Sequence, residues 1–176
     1  MRASKPSIIA IVFLISSLVV AQQTGSAPAP ATSAAKDGLL VSAYQHAPLT
    51  FSSAELKGFA HITVALHNSH TNADETYSGV RLADLLGKLD APLGSELRGK
   101  ALANYVVATG SDGYKAVLAL AEVDPSFHPG EVLVADAMNG QPLDEHSGPL
   151  KLVVTEDKRP ARSVRNLVSI ELKAAP

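Results

Sequence analysis

Residues 105–120 read YVVATGSDGYKAVLAL. Two apolar runs, Tyr105 to Thr109 and Tyr114 to Leu120, flank Gly110-Ser111-Asp112-Gly113. Glycine accepts the backbone angles of a tight turn, and an aspartate in a turn takes hydrogen bonds from nearby backbone amides. The stretch therefore predicts a β-hairpin with a four-residue loop, in which Gly110 and Gly113 supply backbone freedom and Asp112 shapes the turn. It predicts no serine nucleophile at Ser111, because a hairpin turn lacks the strand-to-helix elbow that exposes one.

On the N-terminal side of the hairpin, Tyr77-Ser78-Gly79-Val80 runs into RLADLLGKL. Leu82, Leu85, Leu86 and Leu89 fall at helical spacing there and form one apolar stripe, the mark of a helix facing a core. Earlier still, Leu39 to Tyr44 and His61 to Leu66 (HITVAL) have strand composition, and Asn68 to Glu75 reads as a polar loop. Ser52-Ser53-Ala54-Glu55 has the spacing of a capping box, which predicts a short helix ending near Gly58. On the C-terminal side, Val132 to Asp136, Leu150 to Thr155 and Val164 to Leu172 predict strands, with a tight turn at Asn139-Gly140. Strands outnumber helices and the helices are short. An α+β domain rich in mixed β-structure is favoured over a doubly wound parallel sheet.

The start of the chain has a different composition. Arg2 and Lys5 precede an apolar run from Ile8 to Val20, and Val19-Val20-Ala21 offers small residues before polar Gln22-Gln23. This is the pattern of a secretory signal peptide over residues 1–21, cleaved after Ala21. The run is too short to cross a bilayer as a helix, so no transmembrane anchor is expected after cleavage. Residues 22–38 are mostly Ala, Pro, Ser, Thr and Gly, with little to bury, and read as a disordered linker. The expected folded domain is residues 39–173, in a periplasmic or secreted setting. Removing Arg2 and Lys5 from the 15 basic residues leaves 13 against 17 acidic ones, a net charge of −4 that disfavours nucleic acid as a partner. The chain has no cysteine, which excludes disulfides, lipid anchoring on Cys and every thiolate chemistry.

Taken in order, YSGVRLADLL (Tyr77 to Leu86), SDGYKAVLAL (Ser111 to Leu120), NGQPLDEHSGPLKLVV (Asn139 to Val154) and RSVRNLVSIEL (Arg162 to Leu172) resemble the oxidoreductase molybdopterin-binding domain, the sulfite-oxidase-like family. The resemblance covers most of residues 39–173. It implies a β-rich mixed fold, molybdopterin as cofactor and oxygen-atom chemistry such as sulfite oxidation or sulfoxide reduction. It also implies that Tyr114 packs beneath its hairpin. In that family a cysteine thiolate completes the metal's coordination after the strand that corresponds to His61 to Leu66. This chain has ALHNSHTNADE there, and imidazole is not the equivalent of a soft thiolate.

Two constellations are candidate sites. Lys158, Arg159, Arg162 and Arg165 lie within eight residues and partly match the basic residues that hold the cofactor's phosphate in relatives, best at Arg165, where the family has lysine. A guanidinium takes a phosphate through two parallel hydrogen bonds, so arginine suits that role. With His67 they make the candidate cofactor-binding set. His67, His70 and Asp74, with His61 on the preceding strand, have the donor types of a borderline-metal site. The competing account of both groups is ordinary, a solvated basic loop and exposed histidines.

No catalytic residue is assigned. Three readings follow: an exported domain of this family without the usual molybdenum catalysis, still binding a pterin or another small anionic ligand, or acting with a redox or other partner protein; an enzyme in which Ser69, Asp74 or His67 replaces the cysteine; and an interaction module without cofactor.

Overall fold

A computed structural model describes residues 38–44, 46–68 and 72–175 of the protein. The signal-peptide segment and the linker segment up to residue 37, together with Ser69 and His70, lie outside the described residues, whereas Gly38, expected in the linker, begins a strand. Among the described residues, ten strands form two five-stranded sheets. The first sheet contains β1 (Gly38–Ala43), β2 (His46–Ser52), β5 (Tyr105–Gly110), β6 (Lys115–Ala119) and β10 (Leu167–Lys173), in the order β2-β1-β10-β5-β6. Its β1–β10 pair is parallel and the others are antiparallel. The second sheet contains β3 (His61–Asn68), β4 (Ala73–Arg81), β7 (Val132–Met138), β8 (Gln141–Pro142) and β9 (Lys151–Val154). There the order is β3-β4-β7, with β8 and β9 each pairing with β7. Among the described residues no helix is long and apolar enough to cross a membrane.

Short helices close the space between the strands. The box at Ser52 forms as its spacing predicts: the Glu55 amide donates to Ser52 Oγ at 3.2 Å and the Ser52 amide to Glu55 Oε2 at 2.8 Å, starting α1 (Ser53–Lys57). The leucine stripe forms α2 (Leu82–Gly87), and Leu82, Leu85, Leu86 and Leu89 are all buried. A third helix, α3 (Leu120–Val123), follows β6 directly.

Alternation along β7 and β9 divides the apolar residues between two faces. Val132, Val134, Leu152 and Val154 join the main core with Leu39, Leu86, Leu118, Ile170 and their neighbours. Leu133, Ala135 and Val153 turn the other way and form a second cluster with Tyr77, against which Ile62, Val64, Leu66, Met138 and Leu143 pack. Both faces of the second sheet are thus apolar near β7, which explains why its strand reads as a continuous run.

Three expectations need correction. The polar stretch Asn68 to Glu75 is not all loop: Ala73, Asp74 and Glu75 pair with Asn68, His67 and Leu66, so β4 starts at Ala73. Hydrogen bonding to a neighbouring strand overrides the local polar composition there. At the opening hairpin, Gly113 has φ +82° and Asp112 Oδ1 accepts the Tyr114 amide at 2.9 Å, as the turn reading requires. Gly110 serves a different purpose, because a Cβ there would lie 2.8 Å from the Arg165 carbonyl oxygen. Tyr114 does not pack beneath the hairpin. It is 49% exposed and its hydroxyl donates to the Ala161 carbonyl at 2.6 Å, tying the hairpin to a short 3₁₀ turn at Pro160–Arg162.

Candidate functional site

The outer face of the second sheet carries a half-buried charged residue on β9. Within GPLKLVV, Lys151 begins β9 with its side chain on the same face as Val153, because strand residues two apart share a face. Its ammonium donates to the Tyr77 hydroxyl at 2.7 Å and stands 4.3 Å from the centre of the Tyr77 ring. That hydroxyl in turn donates to Glu75 Oε2 at 2.7 Å, and Asn68 Nδ2 donates to Glu75 Oε1 at 2.6 Å. Tyr77 is 3% exposed, so the chain of donors runs inward from a half-buried ammonium.

Burial, and next the hydrogen bond to Glu75, pushes the Tyr77 phenol above its usual range. It therefore stays a neutral donor at any physiological pH. Burial also lowers the Lys151 ammonium below the ordinary 10.5, with Glu75 opposing the shift and Arg165 reinforcing it.

These residues line a cleft of about 110 Å³. Its wall includes Leu66, His67 and Asn68 from β3, Glu75 and Tyr77 from β4, Lys151, Val153 and Val154 from β9, and the loop residues Asp157, Lys158, Pro160 and Ser163. Two sequence-derived candidates, His67 and Lys158, are therefore brought to one concave surface. A larger hollow of about 280 Å³, lined by residues that include Leu56, Leu143 and Leu150 as well as Lys57 and Asp136, contains none of the candidates.

The other candidates have different surroundings. Arg162 is held by Asp157, through Nε–Oδ2 at 2.9 Å and Nη2–Oδ1 at 2.6 Å, and by Glu122, through Nη1–Oε1 at 2.8 Å. Its hydrogen bonds to Asp157 first and Glu122 second hold the guanidinium protonated far above the usual range. Such a group joins its loop to α3, and its fork is already filled by carboxylates. Arg165 is exposed and meets His146 Nε2 through Nη1, while Arg159 is exposed at the start of the 3₁₀ turn. His67 Nδ1 and Asp74 Oδ1 are 2.8 Å apart across the β3–β4 register, both well exposed. Among the described residues no three His, Cys, Asp or Glu side chains cluster as metal ligands. His61 turns elsewhere, with Nε2 3.2 Å from Asp136 Oδ2.

Lys151 and Glu75 of the cleft were not among the sequence-derived candidates. The signal for Lys151 was a single charge inside an apolar strand. Glu75 was hidden by its placement in a stretch read as loop.

The described residues form a two-sheet α+β domain with a small recess in which Lys151, Lys158 and His67 stand with Glu75 and Asp157. The sequence matches the oxidoreductase molybdopterin binding domain over residues 26–176, and the chain belongs to that family. No curated protein matches it. Among solved structures, the sulfane dehydrogenase SoxCD from Paracoccus pantotrophus is similar, with a TM-score of 0.61 at 19% identity. The match covers 79% of this chain and 39% of that one, so the chain spans well under two thirds of its length. At that identity the likeness is one of fold.

The donors present do not fit the family's molybdenum. The end of β3 offers an imidazole paired with a carboxylate, and the sequence has no cysteine to supply a thiolate. The cleft is also smaller than the roughly 300–1,000 Å³ usual for organic ligands and cofactors.

Proposed function

We propose that this protein is an exported domain of the molybdopterin-binding oxidoreductase family that does not carry out the family's molybdenum chemistry, and that its cleft binds a small anion. The observation that carries the reading is the donor set at the end of β3, the His67–Asp74 pair in a chain without cysteine. Export is supported by the basic, apolar and small-residue sequence of residues 1–21.

The ligand class follows from the charges in the cleft. Glu75 already accepts from Tyr77 and Asn68, and Asp157 accepts both arms of Arg162. Lys151 has three donors and gives one to Tyr77, leaving a half-buried ammonium beside exposed Lys158. An oxyanion the size of sulfate, phosphate or a short carboxylate suits that space and charge. Molybdopterin, the cofactor of the family, is larger and carries a phosphate for which Arg162 has no free face.

Titration of the purified chain with sulfate, phosphate and acetate, followed by NMR shifts of the Lys151 and Tyr77 amides, tests this function. Saturable binding is expected, weakened about tenfold or more in Lys151→Met, on the usual strength of a charge-assisted contact. Binding should fall as pH rises, and the fall should come below pH 10.5, because the ammonium loses its proton earlier than an ordinary lysine. Equal affinity in the wild type and Lys151→Met would remove the cleft from the account.

A further inference from the structure

The free edges of the two sheets differ in a way that points to self-association. An unpaired strand edge is a template for another chain, and proteins ordinarily blunt it with proline, charge, bulges, shortness or a cover. In the first sheet, β2 contains Pro48 and pairs with β1 through a register shift between Val41 and Ala43. At the opposite edge, β6 has five residues, opens on Lys115 and runs directly into α3. In the second sheet, β8 has two residues, one of them Pro142. The outer side of β9 is covered, because the Leu152 amide donates to the Val164 carbonyl at 2.8 Å and the Val154 amide to Ser163 Oγ at 3.3 Å.

β3 has none of these devices. It has eight residues, pairs with β4 through eight consecutive positions without a bulge, and contains no proline, lysine, arginine or carboxylate. From His61 to His67, no backbone hydrogen bond from another described residue reaches its outer edge. Ile62, Val64 and Leu66 alternate along it, half-buried against the second apolar cluster.

The sequence of β3 is complementary to itself. In an antiparallel pair, directly opposed residues lie on one face, so a two-fold axis through Val64 sets Ile62 against Leu66, Val64 against Val64, and Leu66 against Ile62 of the second copy. On the opposite face Thr63 meets Ala65. Moving the axis to Thr63 places Leu66 opposite Ala60, and moving it to Ala65 places Ile62 opposite Asn68. Only the register through Val64 pairs the three half-buried residues Ile62, Val64 and Leu66 entirely with one another, and register in a half-buried strand is set by that pattern.

We infer that two copies of this chain associate through antiparallel pairing of their β3 edges about a two-fold axis at Val64, joining the second sheets into one continuous sheet. The interface is isologous and closes at two copies, leaving no free β3 edge for further addition.

The absence of native cysteine makes a cross-linking test clean. On the axis, Val64→Cys places two sulfurs on directly opposed residues, about 4.5–5.5 Å apart at Cα, inside the range that forms a disulfide. Under mild oxidation this variant is expected to become a covalent dimer nearly completely, while Val117→Cys on exposed β6 does so only slowly. Light scattering of the untagged wild-type chain is expected to give a dimer at micromolar concentrations, and Val64→Lys, which opposes two ammonium groups, a folded monomer. Should Val64→Lys fail to fold, the cysteine pair still decides the matter. A monomeric wild type together with equal cross-linking of Val64→Cys and Val117→Cys overturns the inference. So does a monomer whose β3 amides are protected from exchange, since another segment of the chain then covers the edge.

Discussion

Gly79→Ala is expected to destabilise the protein by about 3 kcal/mol or more, an unusually large effect for one added methyl group. At Gly79 the added carbon would lie 2.2 Å from the Val134 carbonyl oxygen and 2.5 Å from the Ala135 Cα, both backbone atoms of the neighbouring strand. No rotamer change relieves such contacts, so β4 and β7 must separate. The close approach falls where their register shifts between Ser78 and Gly79. It explains the Tyr-x-Gly-Val motif physically: Tyr77 enters the outer cluster, Val80 enters the main core, and the glycine between them lets the strands touch. Gly87→Ala is the matched control, since nothing lies within 4 Å of a Cβ there and the residue is helical. It should be neutral or stabilising by up to about 1 kcal/mol. Urea unfolding of both variants measures the difference, and equal midpoints would refute the packing argument.

Asp124→Ala is expected to cost about 3 kcal/mol, because it takes a buried acceptor from two part-buried amides rather than removing a surface charge. Asp124 is 1% exposed. Its Oδ2 accepts the Gly94 amide at 2.5 Å and its Oδ1 the Ser126 amide at 2.8 Å. The residue thereby fastens the turn at Gly94–Glu96 to the segment after α3. Burial raises its carboxyl pKa, but the hydrogen bonds from Gly94 and Ser126 outweigh burial and hold it below the ordinary 3.8. The folded value lies below the unfolded one, so the contribution is complete above pH 3.8 and is lost as pH falls through the folded value. Urea unfolding from pH 7 to pH 2 should show the wild type converging on Asp124→Ala at the acid end. A constant gap across that range would show that the carboxylate's charge is irrelevant.

The parts of this fold visible in the sequence were those set by local periodicity and turn chemistry. The leucines of α2, the box at Ser52, the Asp112 turn and Asn139-Gly140, whose φ values are +51° and +75°, all declare themselves within a few residues. The family signature worked for the same reason, being built of such turns and strand starts. Long-range pairing left no local mark. The parallel partnership of β1 with β10 joins Leu40 to Ser169, and the pairing of Asp74 with His67 turned apparent loop into strand.

The candidate site was legible only in part, because charge in a sequence does not reveal its partner. Arg162 reads as a free cation until Asp157 and Glu122, the latter 40 residues away, are seen to fill its fork. Lys158 and His67, 91 positions apart by number, meet across the cleft because β3 and the loop after β9 border the same face. Lys151 shows as a charge in an apolar strand, but its hydrogen bond to Tyr77 depends on two strands separated by β7.

The central claim, a domain of this family without its metal chemistry, is tested most directly by composition. The chain is expressed with residues 1–21 in a host that makes molybdenum cofactor, purified without a histidine tag, and assayed for molybdenum by mass spectrometry and for pterin by fluorescence after oxidation. The account predicts neither above the level of a cofactor-free control protein. Molybdenum and pterin in equal amounts, near one per chain, would contradict it.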